Sequence, residues 1–362
     1  MSSERKPAVD VSITVVNFNV KHFADQCLRS IYASKGDIDF EVFLVDNASN
    51  DGSPEYLQAR HPDVNYIINR ENLGFGRANN QAMERATGRY LLILNPDTIL
   101  GETSLEAMVE YMDSHPEAGA MGPMILTRDG GFDVASKRGF PTPWVAFTRL
   151  SGLANLFPKS RIFGRYNLLY LDPNKPCEVD ALVGSCMMVR REVYLQVGGF
   201  DEDYFMYHED VDLGWLTHLA GYKIMVVPRA VVYHKYSFSR NKKKFFWMER
   251  NRFWVILKNY KTGTLILIFP AFIFMEIGLI FYSLVSGWFI WKIKSYFSAL
   301  SGLNKVLEKR KKVQRERVVG DREFSRYLTG VVKFEDINNP VLSLANIFFN
   351  LYWKITKQLI FW

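Results

Sequence analysis

YLLILNPDT, residues 90–98, is the stretch from which the rest of the chain is best read. Five apolar residues, Tyr90 to Leu94, make a strand-length run that closes on Asn95, Pro96 and Asp97. A strand ending in proline and an acid fixes a carboxylate at a sheet edge, which is what a hard divalent cation bridging phosphates requires. Working outward, VSITVVNFN (11–19) reads as a first strand, followed by Cys27, Leu28 and Ile31 at helical spacing. FEVFLVDNAS (40–49) is a second strand running into a turn, and YIINRENLGF (66–75) gives a short strand and loop. GRANNQAMERA (76–86) is helical, with Ala78, Ala82 and Ala86 four residues apart. A helix is expected around Leu105 to Met112, a strand within Glu178 to Arg190, and a helix over Asp210 to Ala220 after an acidic turn. Strands alternating with helices predict an α/β fold: a doubly wound, mostly parallel sheet with helices on both faces. Ligands of such sheets sit at the carboxyl ends of the strands.

Acidic groups collect where that rule puts a site: Asp46 in VDNASNDGS, Asp97 in LNPDT, and Glu209 with Asp210 in YHEDVDLGW. Any one alone is as well explained as a turn residue, because Asp and Asn side chains bond to nearby backbone. Their grouping at strand ends points to chemistry. His234, in VVYHKYS, follows an apolar strand and is either a metal or diphosphate ligand or a satisfied core histidine. Gly74-Phe75-Gly76 runs into Asn79 instead of a third glycine and does not open the first helix, so a dinucleotide fingerprint fails.

Taken in order, VSITVVNFN, LVDNASNDGS, NLGFGRANNQA, LNPDT, GGFDEDYFMYHEDVDLGW and the late Tyr233-His234 resemble glycosyltransferase family 2 over residues 10–240. The resemblance implies a GT-A fold and an inverting sugar transfer. By it, Asp46 would accept a hydrogen bond from N3 of uracil or thymine, favouring a UDP- or dTDP-sugar donor, with Asn17, Asn47, Arg77, Asn79 and Asn95 also on the donor side. Asp97 matches the second acid of the family's DXD signature and would hold Mg²⁺ or Mn²⁺ against the diphosphate, together with His234. Asn95 stands where the first acid would be, which leaves one carboxylate ligand. Asp210 matches the general base that takes the proton from the acceptor hydroxyl, with Glu209 as the alternative base or simply an acid favoured at a helix N-terminus. Gly184 and Ser185 sit where relatives contact donor or acceptor, and glycine there permits close approach to a sugar; His208 is the weakest acceptor-side candidate.

Charge divides the chain. Residues 1–239 carry 23 Lys/Arg against 30 Asp/Glu, or −7, while residues 240–362 carry 22 against 8, or +14. A basic tail fits nucleic acid or an anionic membrane, and the tail's apolar content selects the membrane. Leu265 to Trp291 runs 27 residues with Glu276 as its single charge. As one helix it would measure about 40 Å against a hydrocarbon core of roughly 30 Å. Lysines flank both sides (Lys258, Lys261, Lys292, Lys294), a symmetry that suits a re-entrant or in-plane arrangement better than a directed span. NKVLEKRKKVQRER and the aromatic VLSLANIFFNLYWKITKQLIFW suit a membrane interface; a soluble helical subdomain or a contact between copies of the chain is the alternative.

These readings divide the chain into a catalytic domain, 1–240, and a helical membrane-association region, 241–362. Met1 to Asp10 is polar and is not read as a secretory signal, and three cysteines at unrelated spacings suit reduced thiols. Both observations fit the cytoplasmic face of a bacterial inner membrane, with a polyprenyl-diphosphate sugar as acceptor. The tail resembles that of bacterial rhamnosyltransferase-like members, which favours dTDP-L-rhamnose as donor. A processive polysaccharide synthase lacks support in the absence of a QxxRW-like motif, and a silent nucleotide-binding scaffold has no need of both Asp97 and Asp210.

Overall fold

The computed structural model describes residues 9–127, 130–131, 172, 174–235, 241–325, 352–353 and 355–362. The chain divides into two compact units, one holding 1–136, 174–217 and 222–237, the other 137–173, 218–221 and 238–362. Most of the aromatic C-terminal run lies outside the described residues.

The first unit is built on one mixed sheet. Its strands are β1 (Val11–Asn17), β2 (Phe40–Asp46), β3 (Asn65–Ile68), β4 (Tyr90–Leu94), β5 (Thr98–Leu100), β6 (Ala118–Thr127), β7 (Cys177–Glu178), β8 (Cys186–Arg190) and β9 (Lys223–His234). The order is β3-β2-β1-β4-β8-β6-β9-β5, with β7 also on β9. The half from β3 to β4 is parallel, as the alternating pattern predicts. Beyond it β8 runs antiparallel to both β4 and β6, while β6 and β9 pair parallel. The short β5 and β7, at three and two residues, carry too little pattern to be found by eye, and both pair antiparallel with β9.

Among the described residues six helices accompany the sheet: α1 (Lys21–Tyr32), α2 (Ser53–Arg60), α3 (Phe75–Met83), α4 (Ser104–Ser114), α5 (Arg191–Val197) and α6 (Glu209–Leu219). α1 buries Ala24, Cys27, Leu28 and Ile31, an i, i+3, i+4, i+7 stripe against the core. α4 does the same with Leu105, Met108, Val109 and Met112. α3 ends at Met83, so Ala86 is buried beyond the helix and not on its last turn.

Five helices of the second unit are α7 (Lys244–Asn259), α8 (Thr262–Val285), α9 (Phe289–Ser301), α10 (Leu303–Glu316) and α11 (Asp321–Phe324). The apolar run 265–291 is therefore not one helix. Gly287 adopts φ 70°, the left-handed conformation that ends helices, and α9 restarts two residues later. Lys242 Nζ donates to the Ser286 and Gly287 carbonyls at 3.2 and 3.3 Å, satisfying acceptors that the helix end leaves open.

Candidate active site

Parallel register brings chemistry to one edge. Asn17 stands opposite Asp46, and Val15 opposite Leu94, so the carboxyl ends of β1, β2 and β4 coincide. β8 runs the other way and pairs Cys186 with Leu94, which puts Gly184 and Ser185 beside Asn95; Asn95 N–H donates to the Ser185 carbonyl at 2.9 Å. β9 ends on the same edge, and His234 pairs with Thr98.

Asp46 is held by uncharged donors. Asn17 Nδ2 donates to its Oδ1 at 2.7 Å and Ser49 N–H to its Oδ2 at 2.8 Å. Only 1% of the residue is exposed. Asn17 also reaches Ser49 Oγ at 3.0 Å, so it orients the carboxylate and the following turn together. Ala48 takes φ 62° in that turn. Asn47 is buried and works as a brace: its Nδ2 donates to the Gly74 carbonyl at 3.0 Å and its Oδ1 accepts from Asn69 at 3.0 Å.

Two donor-side expectations find other surroundings. Asn79 is fully buried, with Nδ2 on the Phe75 carbonyl of its own helix at 2.9 Å and Oδ1 without a hydrogen-bond partner among the described residues; it lies on the inward face of α3 beside Ala78 and Ala82. Arg77 lies on the exposed side of that helix and pairs with Glu202 at 3.2 Å. The residue that sequence reading passed over is Asn80. Its Oδ1 accepts from Tyr194 Oη at 2.6 Å and Phe200 N–H at 3.1 Å, and its Nδ2 donates to the Phe200 carbonyl at 2.9 Å. A polar residue on an alanine-lined helix face was the available signal.

Asp97 and His234 converge. Asp97 Oδ1 lies 3.4 Å from His234 Nε2, the Asp97 side chain is 29% exposed, and the Lys235 N–H donates to the Asp97 carbonyl at 3.0 Å. Asn95 uses its carbonyl inside the turn, accepting from Thr98 Oγ1 and N–H. No cluster of three or more His, Cys, Asp or Glu side chains suited to a metal occurs among the described residues. An open carboxylate with an imidazole beside it is a donor set that fits a cation whose remaining ligands are phosphate and water oxygens. Cys27 is buried, with its Sγ 3.8 Å from Thr98 Oγ1, and burial pushes its thiol up to about 12.

The acidic turn is the most strained segment described. Tyr207 and His208 take φ 69° and 70°, a left-handed pair in residues with bulky side chains. The His208 carbonyl then accepts from Asp212 N–H at 2.8 Å and opens α6. Asp210 comes out of this turn with Oδ1 on Val211 N–H at 2.8 Å and Oδ2 on Gly184 N–H at 3.1 Å. A Cβ on Gly184 would stand 3.3 Å from that of Asp210, close enough that the Asp210 side chain would have to shift by a few tenths of an ångström. Glu209 differs from its neighbour: it is 7% exposed, and its Oε2 has no hydrogen-bond partner among the described residues. Burial first, then the adjacent Asp210 and Asp212 charges, push its carboxyl up to about 8. Ser185 is also buried, with its hydroxyl unbonded among the described residues. Finally, Phe75 N–H donates to the Phe205 carbonyl at 2.9 Å, and Gly74 takes φ 84° where a Cβ would meet that carbonyl oxygen at 2.2 Å. The start of α3 and the acidic turn are thus seated on one another.

The model of glycosyl transferase family 2 matches residues 12–198. The chain belongs to that family. Among curated members it is 36% identical over 204 residues to the N-acetylglucosaminyl-diphospho-decaprenol L-rhamnosyltransferase of Mycobacterium tuberculosis, a match covering 53% of this chain and 66% of that protein's length. It is 26% identical over 253 residues to the rhamnosyltransferase WbbL of Escherichia coli K12, covering 67% of this chain and 88% of the relative. Two solved structures share the fold at low identity. GalNAc-T7 with UDP, GalNAc and Mn²⁺ superposes with a TM-score of 0.52 at 16% identity, over 73% of this chain and 51% of that one. Residues 1–349 of Staphylococcus aureus TarS with UDP give 0.50 at 14% identity, over 97% of this chain and 90% of that one. The family-2 chain therefore has a GT-A-like mixed sheet with helices.

Proposed function

We propose that this family-2 chain is an inverting glycosyltransferase that moves one sugar from a nucleotide donor to a polyprenyl-diphosphate-linked glycan. The first candidate is L-rhamnose from dTDP-rhamnose onto a GlcNAc-diphosphate lipid, at the cytoplasmic face of a bacterial inner membrane with an anionic surface. Both curated rhamnosyltransferases support the sugar, and the name of the mycobacterial one supports the acceptor class. The observation that carries the chemistry is Asp210, fixed by two backbone N–H groups at the carboxyl edge that also holds Asp46 and Asp97.

In this reading the base of the donor gives its N3–H to Asp46. That carboxylate already accepts two hydrogen bonds and has lone-pair capacity for a third, and only uracil and thymine among the common bases offer this donor beside two carbonyls. Asp97 and His234 would hold a divalent cation, Mg²⁺ or Mn²⁺, whose chemistry is to neutralise charge on the leaving diphosphate. Asp210 takes the proton from the acceptor hydroxyl as its oxygen bonds to the anomeric carbon and the bond to the nucleotide diphosphate breaks, inverting configuration in one displacement. Gly184 and Ser185 line the approach to Asp210, and His208 shapes the turn that presents it. Glu209, whose carboxyl is pushed up to about 8 by burial and by the adjacent Asp210 and Asp212 charges, is the alternative base; Asp210 is preferred because two backbone N–H groups fix it.

The test uses the full-length chain with Mg²⁺ or Mn²⁺, a panel of dTDP- and UDP-sugars, and a short polyprenyl-diphosphate-GlcNAc, with products read by mass spectrometry. One added deoxyhexose, lost on chelation, is expected. Repeated additions would indicate a processive synthase, and donor binding without transfer a nucleotide-binding scaffold.

A further inference from the structure

Helix α8 is built inside out. Its buried positions are Thr264, Glu276, Leu279 and Ser283, three of the four polar. Its exposed stripe is Ile266, Phe269, Ile273, Ile277, Phe281 and Leu284, at 43 to 70% exposure and spaced three or four residues apart. A helix at the surface of a soluble protein shows the reverse pattern. α9 continues the feature with Ile290, Phe297 and Leu300 exposed while Lys292 and Ser295 are buried. Exposed apolar surface of this extent marks contact with a partner or a membrane.

The buried face explains how the helix lies. Glu276 accepts from Lys292 Nζ at 2.8 Å and from Tyr296 Oη at 2.6 Å, both on α9, and is paired with Arg252 on α7. Arg252 also bonds Glu249 at 2.8 Å, and Glu249 is paired with Lys292. α7 buries Arg250, Asn251, Lys258 and Asn259 as well. At 24 residues α8 has the length to cross a bilayer. Crossing would either carry α7 and its charges into hydrocarbon or break the network and leave Glu276 unpaired there. Neither cost arises if the helix stays in one leaflet.

We propose that α8 and α9 lie in the plane of an anionic membrane surface, their common apolar stripe sunk into one leaflet, and that the Glu249–Arg252–Glu276–Lys292 network anchors them there without a transmembrane crossing. Charge selects a lipid surface over a second copy of the chain. Residues 240–362 carry a net charge of +14, which repels an identical surface and attracts anionic headgroups. Lys305, Lys309, Lys311, Lys312 and Arg315 on α10 belong to that excess. The proposal refines the membrane part of the functional reading and rests on it.

The test places single cysteines at Ile266, Ile273 and Phe281 in a Cys177→Ser background, since Cys27 and Cys186 are buried. Each variant is labelled with a fluorophore and bound to vesicles of phosphatidylglycerol and phosphatidylethanolamine containing quenchers at shallow or deep acyl positions. Equal quenching of all three sites by the shallow quencher, absent on phosphatidylcholine vesicles, is the expected result. A depth gradient with its maximum at Ile273, and one end labelled only from the opposite side, would establish a span and overturn the proposal. No quenching, with a dimer in solution that buries the labels, would overturn it in favour of self-association. Sugar transfer is assayed on the same vesicles. Transfer without quenching sinks the docking mode and leaves the enzyme reading standing, whereas quenching without transfer upholds the docking mode and counts against the enzyme.

Discussion

The two units handle carboxylates in opposite ways. At the sheet edge, Asp46 and Asp210 are each gripped by neutral donors, an asparagine amide and three backbone N–H groups between them, so their negative charge stays uncompensated. In the helical unit, Glu249 and Glu276 meet Arg252 and Lys292 directly, and the cluster is closed to further charge. The nearby cations hold the Glu249 carboxyl down at about 2 even though burial opposes this. In the proposed reading the difference separates acids kept available for a proton, a base or a cation from acids consumed in holding helices together. Residue type alone does not separate them; the charge of the partner does.

That contrast yields predictions of decreasing size. Lys292→Met leaves two buried carboxylates sharing one arginine and should cost about 3–5 kcal/mol of stability, read by thermal or denaturant unfolding, with donor affinity unchanged where the protein remains folded. A neutral result would mean that the helical network is not charge-balanced as described. Gly74→Ala forces a side chain into a glycine-only conformation against the Phe205 carbonyl, and should cost about 3 kcal/mol and loosen the acidic turn. Calorimetry and activity should fall together. Asp46→Ala removes the acceptor of the Ser49 N–H and one of the two acceptors of Asn17 Nδ2, an expected loss of about 1–3 kcal/mol, and should weaken binding of dTDP and UDP alike. Unchanged nucleotide affinity would remove Asp46 from the donor site.

The smallest effect on activity concerns Glu209, and its effect on stability has a defined sign. Its folded-state pKa, about 8, lies above the ordinary 4.5, so its contribution to stability is complete below pH 4.5 and is lost as pH rises through 8. Glu209→Gln mimics the neutral acid. It should flatten that part of the stability profile, leaving the variant relatively more stable than the wild type at pH 9, with activity reduced less than about tenfold. A pH profile identical to that of the wild type would show that Glu209 is ionised in the fold.

Much of the sheet edge was legible in the sequence because parallel strands advertise themselves. VSITVVN, FEVFLVD and YLLIL are apolar runs that stop at polar residues, and their register carries Asn17, Asp46 and Asn95 to one edge. What was not legible depends on contacts far apart in the chain. Asn80 is tied to residues more than a hundred positions away, and no local pattern distinguishes it from Asn79, which turns inward. The antiparallel entry of β8 decides which backbone N–H meets Asp210, yet LVGSCMMVR reads the same in either direction. The break at Gly287 was hidden by hydropathy, since apolar residues continue on both sides of it. Glu276, the single charge of that apolar run, is the residue that ties the helix to its neighbours, which no local pattern shows.

The central claim is that Asp210 acts on the acceptor and not on the donor. Asp210→Asn keeps the shape of the side chain and its contact region beside Gly184 but removes the proton acceptor. The decisive measurement is donor affinity by titration calorimetry alongside single-turnover transfer to the lipid-linked acceptor, on one preparation of this variant. The account predicts wild-type nucleotide affinity with transfer reduced about 10²–10⁴-fold. Retained transfer, or loss of donor binding in parallel with transfer, would contradict it.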